Sequence, residues 1–169
     1  MRGGIVYVTE DRKLEGFFET MSIAENFYSG VLAAGLEKHS LIGFAEMRRI
    51  AAEWTKKLGV KAIGGNARVV ELSGGNRLNV VTGKGLAQKP RLVILDEPAR
   101  GVDVGAIAEI HRFIKQLADD GLAVVVISSY LAEIINLSGR ILVCRQGRVV
   151  EKVSPINATE EHIMFAAVH

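Results

Sequence analysis

One cysteine, Cys144, is present, so no internal disulfide can form, and a reducing compartment fits the chain. Its place in the apolar run Arg140 to Cys144 makes it an expected core residue rather than a nucleophile. An excess of either charge is also lacking: 21 Lys and Arg stand against 19 Asp and Glu, a formal net charge of +2. The basic residues are scattered, so nothing builds the field that draws nucleic acid or an anionic membrane. Long apolar runs are missing too. The longest, Leu122 to Ile127, is far short of the roughly 20 residues a membrane helix needs. The opening Met1-Arg2-Gly3-Gly4 leads into a short apolar run and then charges, which is not a signal peptide. The expectation is a soluble chain whose membrane association, if any, is made through a partner. Internal repeats and low-complexity tracts are absent. What is there is a globular composition, and 169 residues give room for one domain with a real core but not for two ordinary ones.

Ile5 to Val8 reads as a buried strand running into the charged stretch Glu10 to Lys13. Gly16 to Gly43 has weak periodicity, as loops around short helices do. Phe44, Met47, Ile50, Trp54 and Leu58 recur at helical spacing with charges off that stripe, which predicts a helix stopped by Gly59. Trp54 on the stripe is a packing residue. Lys61 to Arg68 is a polar connection, and Asn76 to Ala87 a helix weakened by Thr82, Gly83 and Gly85. Leu92 to Leu95 and Ala123 to Ile127 are continuous apolar strands around a helix, Ala106 to Leu117. A short helix, Leu131 to Leu137, precedes a third strand, Ile141 to Val143. Gln146 and Gly147 then turn the chain into Arg148 to Val153, and Thr159 caps a last helix with Glu160 and Glu161 in its first turn. Apolar strands separated by helices predict an α/β class with a parallel sheet covered on both faces.

Two stretches carry chemistry. Leu92-Val93-Ile94-Leu95-Asp96-Glu97-Pro98 puts two carboxylates at the carboxyl edge of a parallel sheet, where such folds bind ligands. An acid there can hold Mg²⁺ through water, and its neighbour can orient or deprotonate an attacking water. Upstream, Leu72-Ser73-Gly74-Gly75-Asn76 has two glycines that let backbone N–H groups approach an anion, a hydroxyl donor, and a helix start behind them. An Asp-containing loop, Gly101-Val102-Asp103, completes a specific order.

LSGGN resembles the signature motif of ATP-binding-cassette proteins, VILDEP their Walker B strand, and Val102-Asp103 their D-loop. Together with DEPARGVDVGA and the opening YVTEDRK, the pattern resembles the second, C-terminal cassette of bacterial monosaccharide importers of the ribose and galactose type. The likeness runs from about Gly4 to the last helix. It implies a P-loop NTPase-like sheet with helices on both faces, a helical and signature subdomain at about residues 15–75, and a chain truncated before the Q-loop, without its P-loop strand and helix. It implies that Asp96 holds the Mg²⁺ shell and Glu97 polarises the hydrolytic water. Ser73, Gly74 and Gly75 would contact the γ-phosphate of ATP on an opposite cassette, with Asn76 in the same nucleotide-binding set. Asp103 would communicate across the cassette dimer, Glu10 stands at the Q-loop position, and Glu10 to Gly43 would face the permease. ATP and Mg²⁺ are the implied cofactors of the full assembly. A second cassette and membrane permease subunits are its implied partners, at the inner face of the cell membrane.

The departures from the family pattern are specific. Ser129 stands at the switch-histidine position, and a serine cannot become cationic near neutral pH. Arg77-Leu78-Asn79 replaces Gln-Gln-Lys after the signature, and Ala99 replaces Thr. A P-loop needs G-x-x-x-x-G-K-[ST]. The one Gly-Lys pair here, Gly83-Lys84, is followed by Gly85 and has Leu78 where the first glycine belongs. The resulting expectation is a piece of a sugar importer's ATP-binding subunit that does not hydrolyse ATP by itself. The alternative is a non-catalytic cassette remnant acting as a protein-interaction module. Without a P-loop strand beside it, Ala123 to Ile127 is expected to pair either with Arg140 to Cys144 or with another copy in a homo-oligomer.

Overall fold

The computed structural model describes residues 4–11, 16–33, 35, 43–58 and 66–169. Gly59, most of the Lys61 to Arg68 connection, Arg12 and Lys13, and parts of the Glu10 to Gly43 face lie outside the described residues. In chain order the elements are β1 (Ile5–Val8), α1 (Ile23–Ala33), α2 (Phe44–Lys57), α3 (Gly74–Leu86), β2 (Leu92–Asp96), α4 (Val104–Asp119), β3 (Ala123–Ile127), α5 (Leu131–Leu137), β4 (Ile141–Arg145), β5 (Arg148–Val153) and α6 (Glu160–Val168). Two compact units divide the chain, Met1–Val125 and Val126–His169.

In the first unit β1 and β2 run parallel with Ile5 opposite Leu92 and Val8 opposite Leu95, in a sheet of order β1-β2-β3. Strand alternation sends Val6, Val8, Val93 and Leu95 into the core. On the other face Ile5 and Tyr7 are 46% and 52% exposed, and on β3 Val125 and Ile127 are 44% and 48% exposed. A continuous apolar run states that a strand wants cover on both sides, not that its own chain supplies it. Of the two partners expected for β3, the Arg140 to Cys144 strand is not the one found: β3 lies beside β2, and β4 pairs with β5. A two-residue turn lets β4 satisfy its backbone locally, at far lower loop-closure entropy than a more distant pairing.

Helix α1 begins on a capping box. The Glu25 carboxylate accepts from the Ser22 N–H at 2.7 Å and from its hydroxyl at 2.8 Å, while Ser22 Oγ accepts from the Glu25 N–H at 3.2 Å. The Ser22 backbone N–H, and then its hydroxyl, hold the Glu25 carboxyl below the usual glutamate range. That stabilisation is therefore complete above the ordinary glutamate value and fades as pH falls through the lowered one. Ser22→Ala is expected to cost about 1 kcal/mol in urea unfolding at neutral pH, and less in acid, where the wild-type box is already protonated. An equal loss at both pH values would contradict this origin.

Helix α3 forms despite two internal glycines, each worth about 1 kcal/mol against Ala in an open helix. Packing explains them. A Cβ at Gly83 would collide with Leu58 and Phe27, and one at Gly85 with Val6, so both positions let α3 sit close on its neighbours. Leu78, Val80 and Val81 fill the core beneath. In α2 the apolar stripe is only partly inward: Ile50 is buried and Trp54 half-buried under Lys57, while Phe44 is 71% exposed at the helix start.

The second unit is a β4–β5 hairpin with α5 and α6. Gln146 and Gly147 both take positive φ (49° and 74°), the conformation that matches strand twist in a two-residue hairpin turn. Ile141, Val143, Val153 and Ile163 form its core, and Thr159 Oγ1 accepts from the His162 N–H at 3.1 Å to cap α6. Cys144 is exposed, against expectation. Alternation along β4 turns Ile141 and Val143 inward and Leu142 outward, and the pairing register breaks between Val143 and Cys144.

Candidate functional site

The carboxyl ends of β1 and β2 bring several sequence candidates together. Asp96 closes β2 half-exposed, and the Tyr7 hydroxyl from the neighbouring strand donates to its Oδ2. Glu97 follows with φ +46°, a left-handed conformation that a non-glycine residue rarely adopts without a local reason. The strand therefore ends abruptly, and the Arg100 N–H closes a turn on the Glu97 carbonyl at 3.0 Å. Arg100 then reaches back to form an ion pair with Glu10, which joins the end of β1 to the turn after β2. Tyr7 and Arg100 were not singled out from the sequence. Only the parallel register between β1 and β2 sets Tyr7 near Asp96.

A second group lies at the start of α3. Ser73 is its exposed N-cap residue, and Ser73 Oγ accepts from Asn76 Nδ2 at 3.0 Å. Gly74 and Gly75 occupy the first turn, whose N–H groups have no carbonyl one turn earlier to bond within the helix. A Cβ at Gly75 would stand 3.5 Å from the Cβ of Ala106, in the first turn of α4. Asp103 is the exposed N-cap of α4, and its carbonyl accepts from the Ala106 N–H at 2.8 Å. The starts of α3 and α4 are thus neighbours, and Ser73, Gly75, Asn76 and Asp103 share one region. Ser129 lies in the second unit, exposed in the loop after β3, where the Tyr130 N–H bonds Ser128 Oγ at 3.0 Å.

The residues that replace the usual ones after the signature have structural roles. Arg77 donates to the Val70 carbonyl at 2.6 Å, Asn79 to the Leu58 carbonyl at 3.0 Å beyond α2, and Leu78 is core. Among the described residues, no cluster of three or more His, Cys, Asp or Glu could hold a metal. Asp96 with its tyrosine partner suits a hydrated Mg²⁺ carried mainly by phosphate oxygens, not a cage built by the protein. No helix among the described residues is long and apolar enough to cross a membrane.

Comparisons with known proteins bear on the family and the fold. The ABC transporter family matches residues 1–100. A ribose import ATP-binding protein of Rhizobium meliloti is 45% identical over 166 residues, covering 98% of this chain and 32% of the relative. The ribose import ATP-binding protein of Rhodococcus jostii is 45% identical over 167 residues, covering 99% of this chain and 33% of its own length. The chain thus spans about a third of the length of these curated relatives. Among solved structures, a dimeric ATP-binding cassette in a post-hydrolysis state bound to ADP and Pi superposes with TM-score 0.72 at 22% identity, over 91% of this chain and 64% of that one. An ATP-binding cassette of an ABC transporter gives TM-score 0.77 at 21% identity, over 98% and 69%. These two show the α/β fold, with its parallel sheet and helices, to be the cassette fold. Matched over more than half its length by the family pattern, this chain belongs to the ABC transporter family.

Proposed function

We propose that the chain is part of the ATP-binding subunit of a sugar importer, contributing the signature turn, the Walker B strand and the D-loop of one cassette. The observation that carries this reading is the juxtaposition of the two helix starts, with Gly75 against Ala106 beside the Ser73-Gly74-Gly75 turn and Asp103. Residues 1–169 form a partial cassette domain, with about residues 15–75 as its helical subdomain. The first-turn amides of α3, with Ser73 and Asn76, receive the terminal phosphate of ATP held on an opposite cassette. Asp96 holds the water shell of Mg²⁺, and Glu97 orients the attacking water. When bound, Mg²⁺ would supply charge neutralisation on the phosphate oxygens. Glu10, pinned by Arg100, completes the nucleotide-facing set of the first unit, Ser129 stands at the switch position in the second, and Asp103 links the two cassettes. The Glu10 to Gly43 region faces permease subunits, which places the assembly at the cytoplasmic side of the membrane. The ribose import names of the relatives support ribose or a related sugar as cargo.

The test uses the complete polypeptide with its permease in sealed vesicles. ATP-dependent uptake of labelled ribose is expected. Ser73→Arg should lower ATP turnover by about 100-fold, comparable to removing an anion-stabilising donor, with only a small fall in melting temperature, because Ser73 is exposed and its side chain makes no capping bond to α3. Full turnover in Ser73→Arg would defeat the signature assignment, and a lack of ATP-driven sugar uptake would defeat the importer reading.

A further inference from the structure

Tyr7 reaches Asp96 because of where the strand register puts both residues. In the parallel pairing Tyr7 stands opposite Ile94. Side chains alternate along a strand, so Ile94 and Asp96 share the face that Tyr7 occupies, while Val93 and Leu95 turn into the core. Asp96 is thus one pleat beyond the residue opposite Tyr7. Diagonal neighbours on one sheet face stand about 7–8 Å apart, a span that a long aromatic side chain bridges. The Tyr7 hydroxyl closes it with a hydrogen bond to Oδ2.

That bond matters because of what an aspartate at a strand end does otherwise. Asp96 is half-exposed, and the last torsion of its side chain is broad and twofold, so its two oxygens exchange places unless something holds one of them. A phenol has a single proton to give. Spent on Oδ2, it fixes the plane of the carboxylate and leaves Oδ1 to face other partners. The backbones on either side are held as well. Arg100 pairs with Glu10 just past the end of β1, and its N–H bonds the Glu97 carbonyl at 3.0 Å just past β2. Tyr7 and Asp96 therefore stand on strand ends that are clasped together beyond them.

We propose that Tyr7 is a positioning residue for Asp96, its hydroxyl taking Oδ2 so that Oδ1 is the oxygen presented to the water shell of Mg²⁺. This rests on the proposed function for the role of Asp96, and deepens it by naming the group that orients the acid. Mg²⁺ demands near-ideal octahedral geometry and keeps several of its waters, so the direction of one carboxylate oxygen decides whether a water bridge forms. Hydrogen-bond partners of such carboxylates count heavily, and losing one typically costs 10- to 100-fold in metal affinity. Phosphate oxygens carry most of the ion here, which sets the expected loss at the lower end.

The experiment compares wild type, Tyr7→Phe and Asp96→Asn in the complete polypeptide with a non-hydrolysable ATP analogue. Phenylalanine keeps the ring and removes only the donor. Mn²⁺ is the probe, and the paramagnetic resonance signal of the free ion reports how much is bound. Asp96→Asn identifies the ion that belongs to this site. Tyr7→Phe should weaken binding of that ion about tenfold, while affinity for the analogue in EDTA stays within twofold of wild type. Urea unfolding of the 169-residue chain, without nucleotide or metal, reads the link alone. The effects of Tyr7→Phe and Asp96→Asn on the unfolding constant should be non-multiplicative in the double variant by about fivefold. Unchanged Mn²⁺ binding in Tyr7→Phe, an equal loss of analogue binding in EDTA, or multiplicative effects on unfolding would overturn the proposal and leave the metal role of Asp96 standing. If Asp96→Asn removes no Mn²⁺, that role itself fails, and the proposal falls with it.

Discussion

Gly30→Ala is expected to destabilise the first unit by about 3 kcal/mol, at the upper end for overpacking, although alanine is the better helix former. In an exposed helix interior the same change would stabilise by up to about 1 kcal/mol. The sign reverses because Gly30 is buried in α1, facing the backbone of α3. An added Cβ would fall onto the Lys84 carbonyl, closer than real Cβ contacts come. At Gly83 and Gly85 the obstructing atoms belong to side chains, which have some freedom to turn away. A helical carbonyl has none, so α1 and α3 must separate, and the shared core around Phe27, Leu78 and Val80 loosens with them. Gly105→Ala is the control, since that position in the first turn of α4 has nothing within 4 Å and should gain or lose little. Urea unfolding of both variants checks the pair. Equal stability of Gly30→Ala and wild type would mean the helices are not packed this closely.

The 169-residue chain by itself should release no phosphate from ATP above the buffer rate. The sequence holds no G-x-x-x-x-G-K-[ST] element, and its one Gly-Lys pair lies inside α3. There Lys84 is engaged by Gly16 and Phe18, so it is not the lysine of a phosphate loop. What remains near the carboxyl ends of β1 and β2 is acidic: Asp96, Glu97 and Glu10, with Glu10 paired to Arg100. Carboxylates without opposing amides and lysine repel a polyphosphate. Phosphate release by the purified chain, measured beside Glu97→Gln, checks this. Turnover that vanishes in Glu97→Gln would place a complete catalytic site within these residues and remove the reason for treating the chain as dependent on a second cassette.

Elements with strong local signals could be read before any coordinates. The apolar run ending in Asp96-Glu97-Pro98 forms β2, the Ser73-Gly74-Gly75 turn opens α3, Gln146-Gly147 makes the hairpin, and Thr159 caps α6. Each rests on a few adjacent residues whose backbone preferences suffice. Helix α1 was obscured because its buried stripe mixes Asn26 and Gly30 with apolar residues, and both are explained only by what they touch. Phe44 followed the periodicity of α2 but lies on its exposed first turn.

The α/β class, the order of the motifs and the membership that order implies are legible without coordinates, because these are properties of short segments and their spacing. The tertiary structure alone decided that Tyr7 meets Asp96, that Glu10 pairs with Arg100, and that Gly75 lies against Ala106. It also turned Cys144 outward and gave Gly83, Lys84 and Gly85 their use. Such outcomes depend on which residues distant in the chain come within a few ångströms of one another. Local propensity and periodicity carry no record of that distance.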